Sequence, residues 1–353
     1  RAPCAAGCAA GAGAAAMKPP LPKHYRAMAL VDAGRRRLEA VERPMPPLGP
    51  GELRLRVQAC GVCRTDLHIV DGDLPTALPR VPGHEIVGSV VELGPGCMRH
   101  ALGARVGVPW LASTCGHCAY CAGGRENLCA DARFTGWSRD GGYAEYAAAA
   151  EDCCFALPAG YSDEEAAPLL CAGLIGWRAL HMLPDEAANV GLYGFGAAAH
   201  LVAQVALAEG RRVHAFTRPG DAAAQALARR LGVQWAGDST QDPPEPLAGA
   251  LIFAPAGELV PRALQVTAPG GTVVCAGIHM SDIPSFAYRW LWQERAIRSV
   301  ANLTRRDGID FHAFAGRYRL QLATTGYALA DANRALDDLR AGRIAGAAVL
   351  DCR

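Results

Sequence analysis

The chain has 353 residues, 51% of them hydrophobic, with 35 basic against 34 acidic side chains and a formal net charge of +1. That length exceeds one ordinary compact core and favours two domains, and the apolar share excludes wholesale disorder. Balanced charge gives no global attraction to nucleic acid or anionic membranes, and no run of about 18 apolar residues provides a membrane span.

Residues 1–16 are nearly all Ala and Gly, with Cys4 and Cys8 and no acidic side chain. They read as a disordered extension ahead of a start at Met17. A transit peptide is the alternative, with a single Arg to support it. Residues 17–165 read as a mostly β domain. Strands are expected over Glu52–Ala59 and Ile86–Leu93, punctuated by Gly- and Pro-rich turns. Ser162 with Glu165 three residues later marks a helix start, and one helix is expected to run through Leu170–Leu180. From 166 to 310, strand and helix signals alternate. Strands are expected at Asn189–Tyr193, Arg212–Phe216, Ala250–Ala254, Thr272–Ala276 and Ile297–Val300. Helices are expected at Ala197–Ala208, Asp221–Leu231 and Pro261–Thr267. Such alternation predicts an α/β unit with a doubly wound parallel sheet. Residues 311–353 hold a helix at Leu329–Leu339 and a strand at Ile344–Leu350, expected to return to the β domain.

Fourteen cysteines are many for this length. The chain is large enough to fold without disulfide staples, and its cysteines cluster at metal-ligand spacing, which points to a reducing compartment, the cytoplasm. Cys115, Cys118, Cys121 and Cys129 could close a tetrahedral thiolate shell around a structural zinc, with a pair of disulfides as the alternative. His117, inside that loop, reads as a solvent-side residue. A catalytic zinc needs three protein ligands and an open fourth position. Three signatures could supply them: Cys63-Arg64-Thr65-Asp66-Leu67-His68, Gly83-His84-Glu85, and Leu170-Cys171-Ala172-Gly173. Taken singly, Cys171 suits a packed core and His84 an ordinary hydrogen-bonded imidazole.

Gly194-Phe195-Gly196 with Ala199 follows an apolar strand and opens a helix, a pattern that admits a dinucleotide pyrophosphate. The next strand ends Ala215-Phe216-Thr217-Arg218. Thr217 stands where an acidic residue would bind the adenosine ribose, and Arg218 follows it. This favours NADP(H) over NAD(H), unless Arg218 simply points to solvent.

These motifs, in this order, resemble the zinc-containing alcohol dehydrogenases of the medium-chain dehydrogenase/reductase superfamily, the bacterial and yeast-type members above all, from about Arg26 to Leu350. The resemblance implies a GroES-like, mostly β catalytic domain and a Rossmann cofactor domain. It implies two zinc ions per subunit, one catalytic on Cys63, His84 and Cys171, and one structural on the four-cysteine lobe. Asp66 would orient His84, and Glu85 would sit behind the metal. Thr65 would take the alcohol proton and pass it through the cofactor ribose to His68. Arg64 would lie near the pyrophosphate. Leu74, Trp110 and Trp137 fall in segments lining the substrate cleft of similar enzymes, and Gly277-Ile278-His279 could frame the nicotinamide. Two positions depart from the family: Ala347 replaces a pyrophosphate-binding Arg, and Ile175 a frequent Thr.

The activity implied is reversible oxidation of a primary alcohol to an aldehyde. A reductase for bulky aromatic, cinnamyl-type aldehydes is the alternative, and a non-catalytic zinc-binding scaffold is a reading of another class. The expected partners are a small-molecule alcohol or aldehyde and further copies of the chain in a homodimer or homotetramer, with neither nucleic acid nor membrane.

Overall fold

The computed structural model describes residues 20–344 and 346–353, so the extension at 1–16 and Met17 lie outside the described residues. Two sheets organise the chain. The first is a six-stranded parallel sheet in the spatial order Trp235–Asp238, Arg212–Thr217, Asn189–Tyr193, Leu247–Ile252, Thr267–Cys275, Ala296–Ser299. Numbered along the chain this is 3-2-1-4-5-6, the Rossmann order. Val190, Leu192, Tyr193, Val213 and Phe216 are fully buried, as strands covered by helices on both faces require. The reversal of strand order beside Asn189–Tyr193 opens a crevice at the carboxyl ends of the strands.

The second sheet has seven strands and is built around Glu52–Val62, which pairs antiparallel with Ile86–Leu93 and Tyr146–Ala150. The tail joins it: Ala347–Asp351 pairs antiparallel with the end of Glu52–Val62, and Thr324–Ala328 pairs with the tail strand. Leu53, Leu55 and Val57 lie on the core with no exposure, and Ala348 and Leu350 seal the same core from the tail.

The helix expected through Leu170–Leu180 is broken. Ser162 and Glu165 do form a reciprocal capping box over Asp163–Ala166. The chain then tightens into a 3-10 turn at Ala167–Leu170 and leaves helical geometry at Cys171 (φ −127°, ψ −71°). It resumes as the helix Ala172–Leu180. Pro168 supplies a physical reason, because its ring cannot continue an i to i−4 ladder. A helix not anticipated, Arg305–Arg317, packs Phe311, Phe314 and Ala315 into the core and is opened by a Thr304–Asp307 capping box. No helix among the described residues is long and apolar enough to cross a membrane.

Candidate metal centres and cofactor crevice

Three segments converge between the sheets. Cys63 ends the strand Glu52–Val62 and caps the helix Arg64–Asp71. His84 and Glu85 precede the strand Ile86–Leu93, and Cys171 sits at the helix break. One ligand atom from each of these four residues lies within 4.8 Å of all the others. Cys63 Sγ and Cys171 Sγ are 3.7 Å apart, and His84 Nε2 is 3.3 Å from Cys171 Sγ. Two thiolates sharing a tetrahedral zinc at about 2.3 Å stand about 3.8 Å apart, so the sulfur spacing fits the ion. The helix break is what turns the Cys171 thiol toward this point.

His84 is oriented from behind. Asp66 is fully buried, and its Oδ1 lies 3.2 Å from His84 Nδ1 and accepts from Gly83 N at 3.1 Å. Its Oδ2 accepts from Cys63 N at 2.9 Å. The carboxylate thus fixes both the tautomer of His84, with Nε2 facing the thiols, and the position of the Cys63 backbone. Contact with Cys171 holds the Cys63 thiol well below its ordinary range, and burial pushes the Glu85 carboxyl well above its own. Two thiols and two carboxyls are gathered around one imidazole in a buried site, an acidic donor set that suits a divalent cation. Gly61 makes room for the Glu85 carboxyl: a Cβ there would stand 1.8 Å from Glu85 Oε2.

The four-cysteine lobe is a second cluster. Cys115, Cys118, Cys121 and Cys129 lie together, with sulfur separations of 3.8 Å (Cys115 to Cys121) and 3.5 Å (Cys118 to Cys121). Every cysteine among the described residues is free, so the disulfide alternative falls. Backbone N–H groups of Cys115, Cys118 and Cys121 point at neighbouring sulfurs, an arrangement that favours thiolates. The His117 and Cys118 backbones hold the Cys115 thiol down to about 6. His117 is exposed and its Nδ1 bonds to the Cys115 carbonyl, outside the sulfur shell.

Around the first cluster, Thr65 is buried with Oγ1 3.7 Å from Cys63 Sγ. His68, one turn on, holds Asp73 Oδ2 at 2.9 Å through Nδ1. Trp110 meets the His84 ring edge-on, with centroids 5.0 Å apart. It stacks parallel to Trp137 at 6.0 Å and on Phe134 at 5.2 Å, so three aromatic rings form one wall. Phe134 was not anticipated, since its place follows from the short pairing of Leu111–Ser113 with Arg133–Phe134 rather than from any motif. Leu74 packs half-buried on the same core as Trp110 and Trp137.

In the parallel sheet, Gly194 ends the first strand at φ 87°, and a Cβ there would meet Ala254 N at 2.9 Å, so only glycine fits the turn. Gly196 caps the helix Ala197–Ala208 with open space beside it, while Phe195 and Ala199 are buried beneath. This is an N-terminus free to receive an anion. Thr217 differs from expectation. It is buried, and its hydroxyl donates to backbone carbonyls and accepts from Gln225, so it is turned into the protein rather than toward a ribose. Arg218 is 90% exposed, with Asp221 3.6 Å away. Ile278 stands exposed just beyond the strand Thr267–Cys275. Arg64 is exposed at the start of its helix, and Ala347 begins the tail strand.

A GroES-like sheet joined to a Rossmann sheet, with one metal cluster between them and one on a lobe, defines a two-domain zinc dehydrogenase architecture. Residues 49–159 match the family model for the alcohol dehydrogenase GroES-like domain. The chain is 51% identical to Probable alcohol dehydrogenase AdhA of Mycobacterium tuberculosis, over 89% of this chain and 92% of that one. A cinnamyl alcohol dehydrogenase of Sorghum bicolor superposes with a TM-score of 0.84 at 25% identity, covering 94% of this chain and 98% of its own. A cobalt- and zinc-bound thermostable alcohol dehydrogenase of Pyrobaculum aerophilum does so at 0.83 and 26%, covering 93% and 99%. The chain belongs to the zinc-containing alcohol dehydrogenases of the medium-chain dehydrogenase/reductase superfamily.

Proposed function

We propose that this protein interconverts primary alcohols and aldehydes with NADP(H) favoured over NAD(H), using one catalytic and one structural zinc per subunit. The carrying observation is the convergence of Cys63, His84 and Cys171 below a wall of aromatic rings. A zinc ion held there would supply Lewis-acid polarisation of a substrate oxygen, and a nicotinamide would give or take hydride. The remaining work falls to the chain itself. Asp66 orients His84, and Glu85 stays behind the cluster. Thr65 relays the alcohol proton toward His68, whose imidazole can accept it. Trp110, Trp137 and Leu74 exclude water and favour an uncharged substrate.

The Gly194-Phe195-Gly196 turn and Ala199 receive the pyrophosphate, with Arg64 nearby, and Ile278 borders the nicotinamide. Arg218, free to swing, would meet a 2′-phosphate. Residues 17–165 with 311–353 serve as the catalytic unit and 166–310 as the cofactor unit. The free thiols suit the cytoplasm, and a homodimer or homotetramer is the proposed assembly.

The wall of Trp110, Phe134 and Trp137 also supports a second reading, reduction of bulky aromatic aldehydes. The Sorghum relative is named for cinnamyl alcohol. One experiment tests both: metal analysis with an alcohol and aldehyde panel assayed with each cofactor, on wild type and Cys63→Ala. Two zincs and turnover in the wild type, with turnover lost in the variant, support the enzyme. Turnover confined to aromatic aldehydes supports the second reading. One zinc and no turnover in the wild type leave a scaffold, and undiminished turnover in Cys63→Ala rules out the site.

A further inference from the structure

The chain passes between the two sheets twice, and the second passage is gripped from the side. It leaves the parallel sheet at Val300, whose N–H still bonds to the Cys275 carbonyl at 3.0 Å, and enters the helix Arg305–Arg317. That helix rests partly on the seven-stranded sheet: His312 stacks on Phe155, in the strand Phe155–Ala156, with centroids 5.4 Å apart. In between, Asn302 is left-handed at φ 60°, and neither polar atom of its amide, both buried, has a partner among the described residues. Two consecutive residues of the cysteine lobe hold the passage instead. Asn127 Nδ2 donates to the Ala301 carbonyl at 2.8 Å, and Glu126 Oε1 accepts from the Arg305 N–H at 2.7 Å. Both side chains are buried, and both sit in the 3-10 turn Glu126–Leu128 that runs into Cys129. The Ala301 carbonyl only accepts, so the Asn127 amide must turn its nitrogen toward it. The Arg305 guanidinium completes the grip, reaching Asp152 Oδ2 at 2.7 Å and Thr114 Oγ1 at 3.0 Å.

Resting on the alcohol dehydrogenase reading, we propose that Glu126 and Asn127 are positioning residues for dinucleotide binding, a clamp on residues 301–305 that fixes how the parallel sheet faces the cluster of Cys63, His84 and Cys171. A dinucleotide spans both units, with its pyrophosphate at the Gly194 turn and its reacting ring at the cluster. The two must stand at the right separation for both ends to be held. At the mouth of the crevice little enforces this. There the His279 ring, beyond the strand Thr267–Cys275, lies against the His68 ring with centroids 4.3 Å apart and planes tilted by 45°, and no hydrogen bond joins them. The directional contacts are those of the clamp. Opening it spreads the units over several relative placements, and apparent affinity falls with the fraction that stays competent. The loss does not depend on the 2′ group, so it falls equally on NADPH and NADH. Saturating cofactor restores the placement, so turnover is kept there.

The test uses the full zinc-loaded chain. Kd for NADPH and for NADH is read from nicotinamide fluorescence, and amide hydrogen exchange is followed at residues 300–305. Asn127→Ala and Glu126→Ala open the clamp, while Glu126→Gln keeps an oxygen for the Arg305 N–H. Thr267→Val removes a buried hydrogen bond to the Ala263 carbonyl, 2.7 Å long and away from the clamp, as a control for lost stability. The two opening variants are expected to raise Kd for both dinucleotides by the same factor, about three- to tenfold, and to speed exchange at residues 301–305. Metal content should match wild type, and kcat at saturating cofactor should stay within about twofold. Glu126→Gln and Thr267→Val should bind like wild type. The proposal is overturned if either opening variant folds and keeps the wild-type Kd, whatever its exchange does. It is also overturned if Thr267→Val weakens binding as much as they do, since lost stability would then suffice. Should one opening variant fail to fold, the other decides. A wild type that binds neither dinucleotide removes the enzyme reading and the clamp with it, and shows this before any variant is made.

Discussion

Asp66 and His84 face each other with no solvent between them, the carboxylate Oδ1 lying 3.2 Å from the imidazole Nδ1 and both side chains essentially unexposed. The contact matters through what it denies. With Nδ1 committed to Asp66, Nε2 is the only nitrogen His84 can offer to the point shared with Cys63 and Cys171. Asp66→Asn keeps the shape but can present an amide hydrogen instead of an acceptor. We expect a loss of about ten- to a hundredfold in kcat or in metal affinity, the scale of removing a carboxylate behind a metal-binding histidine. Activity titrated against added zinc, with metal content measured in parallel, checks it; an unchanged variant would mean that the tautomer is set elsewhere.

Cys118→Ala should separate structure from chemistry. It opens the four-sulfur shell and should remove one metal equivalent. The expected cost is on the order of several kcal/mol of stability, because a bound structural zinc contributes directly to folding. Turnover per correctly folded subunit should stay within about twofold, since the lobe donates nothing to the cluster of Cys63, His84 and Cys171. Thermal unfolding with and without chelator is the measurement, and an unaltered melting temperature would argue against a metal in the lobe.

Arg218 offers a test of cofactor choice independent of the metal. On the proposed NADP(H) reading, with Thr217 turned inward, Arg218 is the side chain at that strand end that would meet a 2′-phosphate. Arg218→Ala should raise KM for NADPH about three- to tenfold, the weight of one exposed charge-assisted contact, and leave KM for NADH nearly constant. A wild type that uses NADH better than NADPH contradicts the premise before the variant is made.

His312 predicts an acid-sensitive core. It is buried against Phe155, its Nδ1 donates to the Gly308 carbonyl, and its Nε2 has no partner among the described residues. Burial lowers its pKa to about 4. The unfolded chain therefore binds this proton first, at about 6.5. Stability from keeping His312 neutral is intact above that value and drains away as pH falls toward about 4, by about 3 kcal/mol in all. Urea unfolding of wild type and His312→Gln at pH 7 and at about pH 5 should show the wild type losing more over that interval. Parallel losses in the two proteins would assign the acid sensitivity to other groups.

What could be read from the residues was what is written locally. The strand Ile86–Leu93, the strand Asn189–Tyr193 and the helix Ala197–Ala208 fall where their apolar periodicity puts them. The cysteine lobe was legible because its ligands crowd into one short loop. The interruption at Cys171 was not, since Ala and Leu on either side suit a continuous helix and the break depends on Pro168 and on packing. The helix Arg305–Arg317 was hidden by its charged first turn and by Gly308, and tertiary burial of Phe311 and Phe314 decides it. Contacts such as Trp110 on Phe134 and His279 against His68 join segments that carry no mark of one another. Thr217 shows the limit from the other side: its place in the strand was correct, but the direction of its hydroxyl depends on Gln225 and Gly237.

The broken helix has a mechanical meaning as well. Cys171 is suspended between a tight turn that leans on the catalytic sheet and a helix that packs on Ala197–Ala208, the helix that opens from the glycine turn. An ion clasped by Cys171 on one side and by Cys63 and His84 on the other would act as a rivet through both lobes. Stripping it would slacken the crevice as a whole, so a chelated sample should grip dinucleotide less firmly even though no side chain that touches the dinucleotide has been altered.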